Sequence, residues 1–204
     1  MYLTQIGLII GKLNREDISM KIIELEKSKR LKISFEKISE LTLSEYKSSE
    51  VLIASNNSAL NSERSFVLEL VLPTNSSYYA ALGAKYIPSE GYNNLIIEVR
   101  YTENYVENYS TSFAYDEKTV FKGLPKEYVE TLLKTAANYL QADGIGIPCG
   151  KIVFDSAAYC EVGSSPLMFR IATKIVLDAL LSKGYPGSDS DITNICEKHL
   201  LERI

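Results

Sequence analysis

The chain of 204 residues contains no tryptophan, a single histidine and three cysteines. Acid–base and nucleophilic catalysis need a base within hydrogen-bond reach of the reacting group, and His199 is the one imidazole in the chain. The odd set of thiols, Cys149, Cys160 and Cys196, matches no zinc or redox spacing and indicates free thiols in a reducing compartment. We therefore expect no enzyme, no metal site and no cofactor.

Several motifs and segments are also missing. The sequence has no glycine-rich phosphate loop, no nucleophile elbow and no dinucleotide-binding fingerprint, so nucleotide binding is not expected. Nothing approaches the roughly 18 consecutive apolar residues that cross a bilayer. The amino terminus lacks the basic region and apolar run of a signal peptide. These absences predict a soluble, cytoplasmic protein without membrane contact.

The overall charge is mildly acidic. The formal net charge is −4, whereas a domain that binds through phosphate contacts usually carries a basic surplus. The acidic composition therefore makes strong nucleic-acid binding less expected. It is still compatible with a local basic patch on the surface. The apolar fraction of 46% is ordinary for a globular protein and is enough for a core.

Residue patterns predict a sheet followed by interleaved helices. Short β-branched and aromatic runs indicate strands, and apolar residues at three- and four-residue steps indicate helices. Strands are expected over 66–72, 78–87 and 95–101, just before Gly123 and over 151–154; helices are expected over 125–142, 166–182 and around 192–200. The predicted fold class is α+β, a mostly antiparallel sheet with two or three helices on one face.

The amino-terminal part is expected to be a separate α/β extension. The spacing of Ile18, Ile22 and Leu25 predicts a helix there. The stretch Ser55–Glu63 is rich in asparagine and serine, which disfavour regular structure, and predicts a linker. The chain is therefore divided into an extension of unknown role, residues 1–60, and a larger domain, residues 61–204.

The most informative stretch runs from Gly150 to Gly184 and is predicted as strand, loop and helix. The loop is expected over 155–164. Ser165 is a good N-cap because its hydroxyl can accept an orphan backbone N–H, and Pro166 suits the first helical turn. An alternative is that the backbone N–H groups from Gly163 onwards bind an anion at the start of the helix.

This stretch resembles domain IV of the translational GTPases related to elongation factor G, most closely the branch that protects ribosomes from tetracycline. The resemblance rests on an ordered set: Lys151-Ile152, Phe154, Tyr159, Ser164-Ser165-Pro166, Phe169-Arg170 and Ile175-Val176-Leu177. It extends more loosely through Gly123-Leu124-Pro125-Lys126 to about Ser65, and so covers about residues 65–185. The GTPase domain of such factors has no counterpart here.

The resemblance implies a fold detail and a binding tip. In the family, domain IV has a left-handed strand–helix–strand crossover, and its tip enters the decoding region and contacts ribosomal RNA. The tip implied here is the loop over 156–164. Cys160 departs from the family, where elongation factors usually place histidine. The RNA- or partner-binding residues implied are Tyr159, Cys160, Glu161, Gly163, Ser164, Ser165 and Arg170.

Two functions stay open at this point. The first is a stand-alone, non-catalytic domain IV-like protein that associates with the ribosome or RNA through the loop around Tyr159. The alternative is a protein–protein interaction or self-association module, as a homo-oligomer, with no RNA role. The acidic balance favours the alternative, and the gapless motif favours the first. An enzyme would need Cys160 and His199 side by side.

Overall fold

The computed structural model describes residues 20–25, 29–43, 45–73, 78–89, 93–103, 107–112, 114, 119–142, 146–182 and 188–201. The strands within these ranges are β1 (Met20–Leu25), β2 (Lys29–Ser34), β3 (Lys47–Ala54), β4 (Arg64–Val71), β5 (Tyr79–Pro88), β6 (Asn94–Tyr101), β7 (Val120–Lys122) and β8 (Gly150–Cys160). The helices are α1 (Lys126–Ala142), α2 (Pro166–Leu181) and α3 (Asp189–Leu201).

All eight strands belong to one sheet. Seven of them lie side by side in the order β1-β2-β4-β5-β8-β6-β3, and β7 pairs with the far end of β8. Every neighbouring pair is antiparallel except β6 and β8, which run parallel. The predicted α+β fold with a mostly antiparallel sheet is confirmed.

The three helices lie on one face of this sheet. α1 contacts β3 and β6, α2 contacts β4 and β5, and α3 packs on α2 and reaches β1. Because side chains alternate along a strand, one set from each strand points at the helices. This set includes the fully buried Leu68, Leu70 and Ile97. In the described part of the chain, no helix is both long and apolar enough to cross a membrane.

The central strand β8 is longer than predicted. Residues 155–160, expected in a loop, continue the strand past a register shift opposite Gly83 and Ala84. The short β7 then pairs with its last three residues, Ala158 to Cys160. Alanine is a weak strand former, but partners on both sides satisfy the backbone hydrogen bonds of this segment. The expected loop is wrong here because these partners come from distant parts of the chain.

The connection into β8 passes through α1. The sequence placed the crossover between the strand before Gly123 and β8, but that strand, β7, is antiparallel to β8. The parallel neighbour of β8 is β6, so the strand–helix–strand unit runs from β6 through α1 to β8. The left-handed sense of this crossover stays a prediction.

The described part of residues 1–60 extends the same sheet. β1 and β2 form an antiparallel pair that continues onto β4, and β3 forms the opposite edge beside β6. The helix predicted through Ile22 and Leu25 is wrong, because both residues pair with β2 in a strand that buries Ile23. Ile18 lies outside the described residues. The division of the chain near residue 60 falls between β3 and β4.

Candidate functional site

The connection between β8 and α2 is a tight turn built around Gly163. The backbone of Gly163 has a φ of +145°, a conformation that side-chain-bearing residues rarely adopt. Its carbonyl oxygen accepts the backbone N–H groups of Tyr78 at 2.8 Å and Tyr79 at 3.1 Å. A Cβ at this position would lie 2.3 Å from the Tyr78 ring. Gly163 therefore shapes the turn, and its role in binding stays a prediction.

The two serines that follow also hold the turn. The hydroxyl of Ser164 donates to the carbonyl of Tyr79 at 2.9 Å and accepts the N–H of Cys160 at 2.9 Å. Ser165 is the N-cap of α2, and its hydroxyl accepts the N–H of Met168 at 3.4 Å. The predicted cap is confirmed. The hydroxyls of Ser164 and Ser165, two of the residues implied to bind RNA or a partner, are therefore engaged within the protein.

Cys160 and His199 are at opposite ends of α2. The buried Sγ of Cys160 lies 3.4 Å from the Tyr78 hydroxyl, in the turn before the helix. His199 Nε2 lies 2.8 Å from Asp178 Oδ2, near the end of the same helix. Asp178 lies twelve positions after Pro166 along α2. At a rise of 1.5 Å per residue, the two positions are about 18 Å apart. The two side chains do not form a catalytic pair.

Tyr159 lies in a cleft between β8 and the start of α1, with a volume of about 760 Å³. We call it the tyrosine cleft, and it is lined by Pro125, Lys126, Glu127, Tyr128, Glu130, Tyr159 and Glu161. The sequence predicted Tyr159 and Glu161 as site residues, but no pattern in it pointed to Tyr128 or to the acidic residues beside Tyr128. The residues of β8 and of the start of α1 come together because β7 pairs with β8, and no local sequence pattern indicates this pairing.

The floor of the tyrosine cleft is aromatic but little exposed. The Tyr159 ring stacks on Phe121 of β7 with centroids 5.6 Å apart, and the Tyr128 ring packs 4.6 Å from Phe169. Each tyrosine keeps only 7% of its surface exposed. The expectation that Tyr159 and Cys160 stand on an exposed loop is wrong, because β7 and the β8–α2 turn cover them. Phe121 already occupies one face of the Tyr159 ring, so that face is not available for a base to stack on.

The rim of the tyrosine cleft is acidic. Glu127, Glu130 and Glu161 are exposed there, against one lysine, Lys126, among the lining residues. Lys134 pairs with Glu130 one helical turn further on and lowers the pKa of that carboxyl. With three glutamates against one lysine, the rim disfavours phosphate groups. This cleft suits a cationic side chain, whose stem can cover the aromatic floor.

Arg170, the remaining predicted site residue, lies on a different surface. It lines a depression of about 460 Å³ between α1 and α2, together with Lys134, Asn138 and Lys174. We call these four residues the basic groove. Lys134 and Asn138 are one turn apart on α1, and Arg170 and Lys174 are one turn apart on α2, so each pair lies along one helix face. No carboxylate is among the described residues that line this depression.

Other chemistry in the helical layer is structural. Asp178 of α2 accepts hydrogen bonds from Tyr139 of α1 at 2.7 Å and from Lys198 of α3 at 3.1 Å, and lies 2.8 Å from His199 Nε2. Burial by itself would raise the pKa of Asp178, but these hydrogen bonds outweigh it and lower the pKa below its ordinary value. The His199 ring is fully buried and cannot reach a substrate.

The described residues contain no group of three or more histidine, cysteine or acidic side chains arranged to hold a metal ion. Comparisons of the chain with protein-family models, with curated proteins and with solved structures gave no match. The resemblance to domain IV therefore stays a prediction from the ordered residues given above, and the site has to be interpreted from its own chemistry.

Proposed function

We propose that this chain is a non-catalytic, RNA-binding domain of the elongation factor G domain IV type, and that it contacts RNA phosphates through the basic groove. The observation that carries the proposal is the charge of the groove. Lys134, Arg170 and Lys174 converge on one depression whose described lining has no acid, although the whole chain is acidic. Ribosomal RNA is the partner that the resemblance to domain IV implies.

The side chains in the groove are suited to phosphate. Arg170 offers a planar fork that matches phosphate oxygens, and the lysines add point charges. The amide of Asn138 is a further hydrogen-bond donor on the same wall. Lys134 is held by Glu130, but both side chains are mostly exposed, and such pairs contribute little energy. A phosphate can therefore replace Glu130 as the partner of Lys134.

The proposal predicts a defined salt dependence. Three phosphate contacts on a single strand give a slope of log K against log salt of about −2, because each contact contributes about −0.7. The double variant Arg170→Gln with Lys174→Gln should reduce the slope to about −0.7 and weaken binding of a labelled single-stranded RNA of about 12 nucleotides. Fluorescence anisotropy at several salt concentrations measures both quantities, and co-sedimentation with ribosomes extends the test to the implied partner.

The matched control is a pair of lysine changes away from the groove, Lys29→Gln with Lys85→Gln. Lys29 lies on β2 and Lys85 on β5, and neither residue lines the basic groove. This control should leave the slope unchanged. If the control and the groove variant weaken RNA binding equally, the contact is a general charge effect and the groove has no special role.

A protein partner is the second candidate, and the acidic rim of the tyrosine cleft favours it. Beside that rim, Val162 is 65% exposed at the tip of the β8–α2 turn. A lysine- or arginine-rich segment would place its cations against Glu127 and Glu161. The double change Glu127→Lys with Glu161→Lys separates the candidates. It should abolish capture of a labelled oligolysine peptide if the cleft binds protein, and should leave groove-dependent RNA binding intact.

The same proposal assigns the protein to the cytoplasm. Cys149, Cys160 and Cys196 are all free thiols, which suits a reducing compartment. Fractionation of cells that express the tagged chain checks the assignment.

A further inference from the structure

A third cavity, of about 1060 Å³, lies between the segment before β4, the end of α2 and α3. It is separate from the basic groove and from the tyrosine cleft. Polar side chains line much of it: Asn57, Asn61, Arg64, Asp178, Asn194 and Lys198. A volume of this size is in the range that holds small organic ligands.

One wall of this cavity is the Ser55–Glu63 segment, which the sequence predicted as a linker. The backbone N–H groups of Asn56 and Asn57 both donate to the carbonyl of Ile147 at 3.1 Å. The Ile147 N–H donates to the side-chain oxygen of Asn56 at 2.7 Å, and the Ser55 hydroxyl donates to the Ile147 carbonyl at 2.7 Å. A linker would not be fixed by so many bonds to a residue about 90 positions away. The segment is a preformed wall.

The opposite wall presents a fixed ammonium group. Lys198 Nζ donates to the Tyr139 hydroxyl at 3.0 Å and to Asp178 Oδ2 at 3.1 Å, while its side chain stays 52% exposed. An ammonium group has three N–H donors, so one can serve a ligand. The Asp178 carboxylate is already engaged by Tyr139 and His199. Lys198 is therefore the charged group on this wall with a donor left for an anion.

Arg64 removes a source of repulsion at the end of α2. Its Nη1 donates to the carbonyl oxygens of Leu180 and Ser182, both at 2.8 Å. The carboxyl end of a helix carries a partial negative charge, which would disfavour a bound anion. The positive charges of Lys198 and Arg64 together exceed the single negative charge of Asp178. The cavity therefore favours a ligand with a negative group.

The remaining polar groups suit hydroxyls. The carboxamides of Asn57, Asn61 and Asn194 each offer both a donor and an acceptor, which is the combination that a sugar or polyol hydroxyl needs. We infer that this cavity binds a small polyhydroxylated anion of the sugar phosphate or sugar acid class. Its anionic group lies at Lys198 and its hydroxyls lie against the three asparagines.

The test is a titration of the full chain with glucose 6-phosphate, with gluconate, glucose and inorganic phosphate as separate arms. Nuclear magnetic resonance follows the side-chain amide signals of Asn57, Asn61 and Asn194. We expect saturable shifts with a Kd between about 0.1 and 5 mM for glucose 6-phosphate. Glucose and phosphate alone should each bind at least about tenfold more weakly, because each lacks half of the contacts. If gluconate binds as tightly as glucose 6-phosphate, the ligand is of the sugar acid class, with a carboxylate at Lys198 in place of the phosphate.

Two variants tie the signal to the cavity. Asn61→Ala with Asn194→Ala should raise the Kd about tenfold or more, since each lost hydrogen bond is expected to cost about fivefold. Arg170→Gln, which lies in the basic groove, should leave the Kd unchanged. The inference is overturned if no signal saturates up to about 50 mM, or if the asparagine double variant binds glucose 6-phosphate as tightly as the unchanged chain. Because neither asparagine contacts the Asp178 cluster in a described bond, this variant should stay folded.

Discussion

At the scale of single residues, Gly163 is a position that cannot accept a side chain without strain. Its φ of +145° disfavours any residue with a Cβ, and that atom would lie 2.3 Å from the Tyr78 ring. Gly163→Ala should therefore lower the free energy of unfolding by about 2–4 kcal/mol, from backbone strain together with overpacking. Urea denaturation followed by circular dichroism measures the change.

The neighbouring residue supplies the control for this prediction. Val162→Ala alters a side chain that is 65% exposed, and should change the free energy of unfolding by less than about 0.5 kcal/mol. A small effect of Gly163→Ala, equal to that of the control, would mean that the turn relaxes freely and that its glycine is not required.

The sequence predicted some of these residue roles correctly, and the reason is local. Ser165 caps α2 as expected, because a cap depends on residues within one helical turn. Tyr159 is buried where an exposed ring was expected, because it is covered by Phe121, which lies almost 40 residues earlier in the chain. Arg170 is exposed on α2. Its neighbours in the basic groove come from α1, and only the packing of two helices shows them together.

At the scale of elements, the Asp178 cluster joins all three helices. Asp178 of α2 binds Tyr139 of α1 and Lys198 and His199 of α3, and its side chain is mostly buried. Asp178→Asn removes the negative charge to which these three groups bind. We expect it to lower the free energy of unfolding by about 2–3 kcal/mol at pH 7. The free energy of unfolding from urea titrations gives the value, and loss of contacts between α3 and α2 is its structural cause.

The pH dependence of this cluster has a definite sign. The pKa of Asp178 is lowered in the folded protein, so the charged form is stabilised by folding. The contribution of Asp178 to stability is fully present at pH values above the ordinary carboxyl pKa. It is lost as the pH falls through the lowered pKa of Asp178 in the folded protein. The unchanged chain should therefore lose more stability between pH 7 and pH 3 than the Asp178→Asn variant. Asp189→Asn, which breaks an exposed pair with Lys21, is the control and should leave this difference nearly unchanged.

Elements differ in how well the sequence predicts them. The bounds of α1 and α2 were expected within a residue, because apolar spacing along a helix is a local pattern. β8 was expected to end at Phe154 but continues to Cys160, because its second half depends on pairing with β5 and β7. The same cause explains β1, where pairing with β2 prevails over an apparent helical spacing.

At the scale of the whole molecule, one sheet includes strands from both sides of residue 60. We expect the full chain to unfold in a single transition in urea, with circular dichroism and tyrosine fluorescence giving the same midpoint. A fragment of residues 61–204 would lack β2 and β3, and so the pairing partners of β4 and β6. It should show no cooperative transition. A fragment that unfolds as cooperatively as the full chain would make residues 1–60 a separate unit.

The whole-molecule charge illustrates why composition predicts binding poorly. A net charge of −4 sums over the surface, whereas the described side chains form an acidic cleft at the start of α1 and a basic groove further along the same helix, beside α2. Glu127 and Glu130 line the cleft, and Lys134 and Asn138, one and two turns beyond Glu130, line the groove. The fold class could be predicted from the sequence. The separation of charge could not, because it depends on how α1 is oriented against α2 and β8.

The position of β8 in the sheet has a consequence for how the chain is made. β8 is the strand that joins β5 to β6, yet it is translated about 50 residues after β6 ends. At roughly 5–20 residues per second, a nascent chain spends several seconds with two incomplete half-sheets and no strand between them. Unpaired strand edges recruit other chains. Polypeptides truncated before residue 150 should therefore accumulate in inclusion bodies, and chaperones that shield such edges should raise the yield of the complete chain.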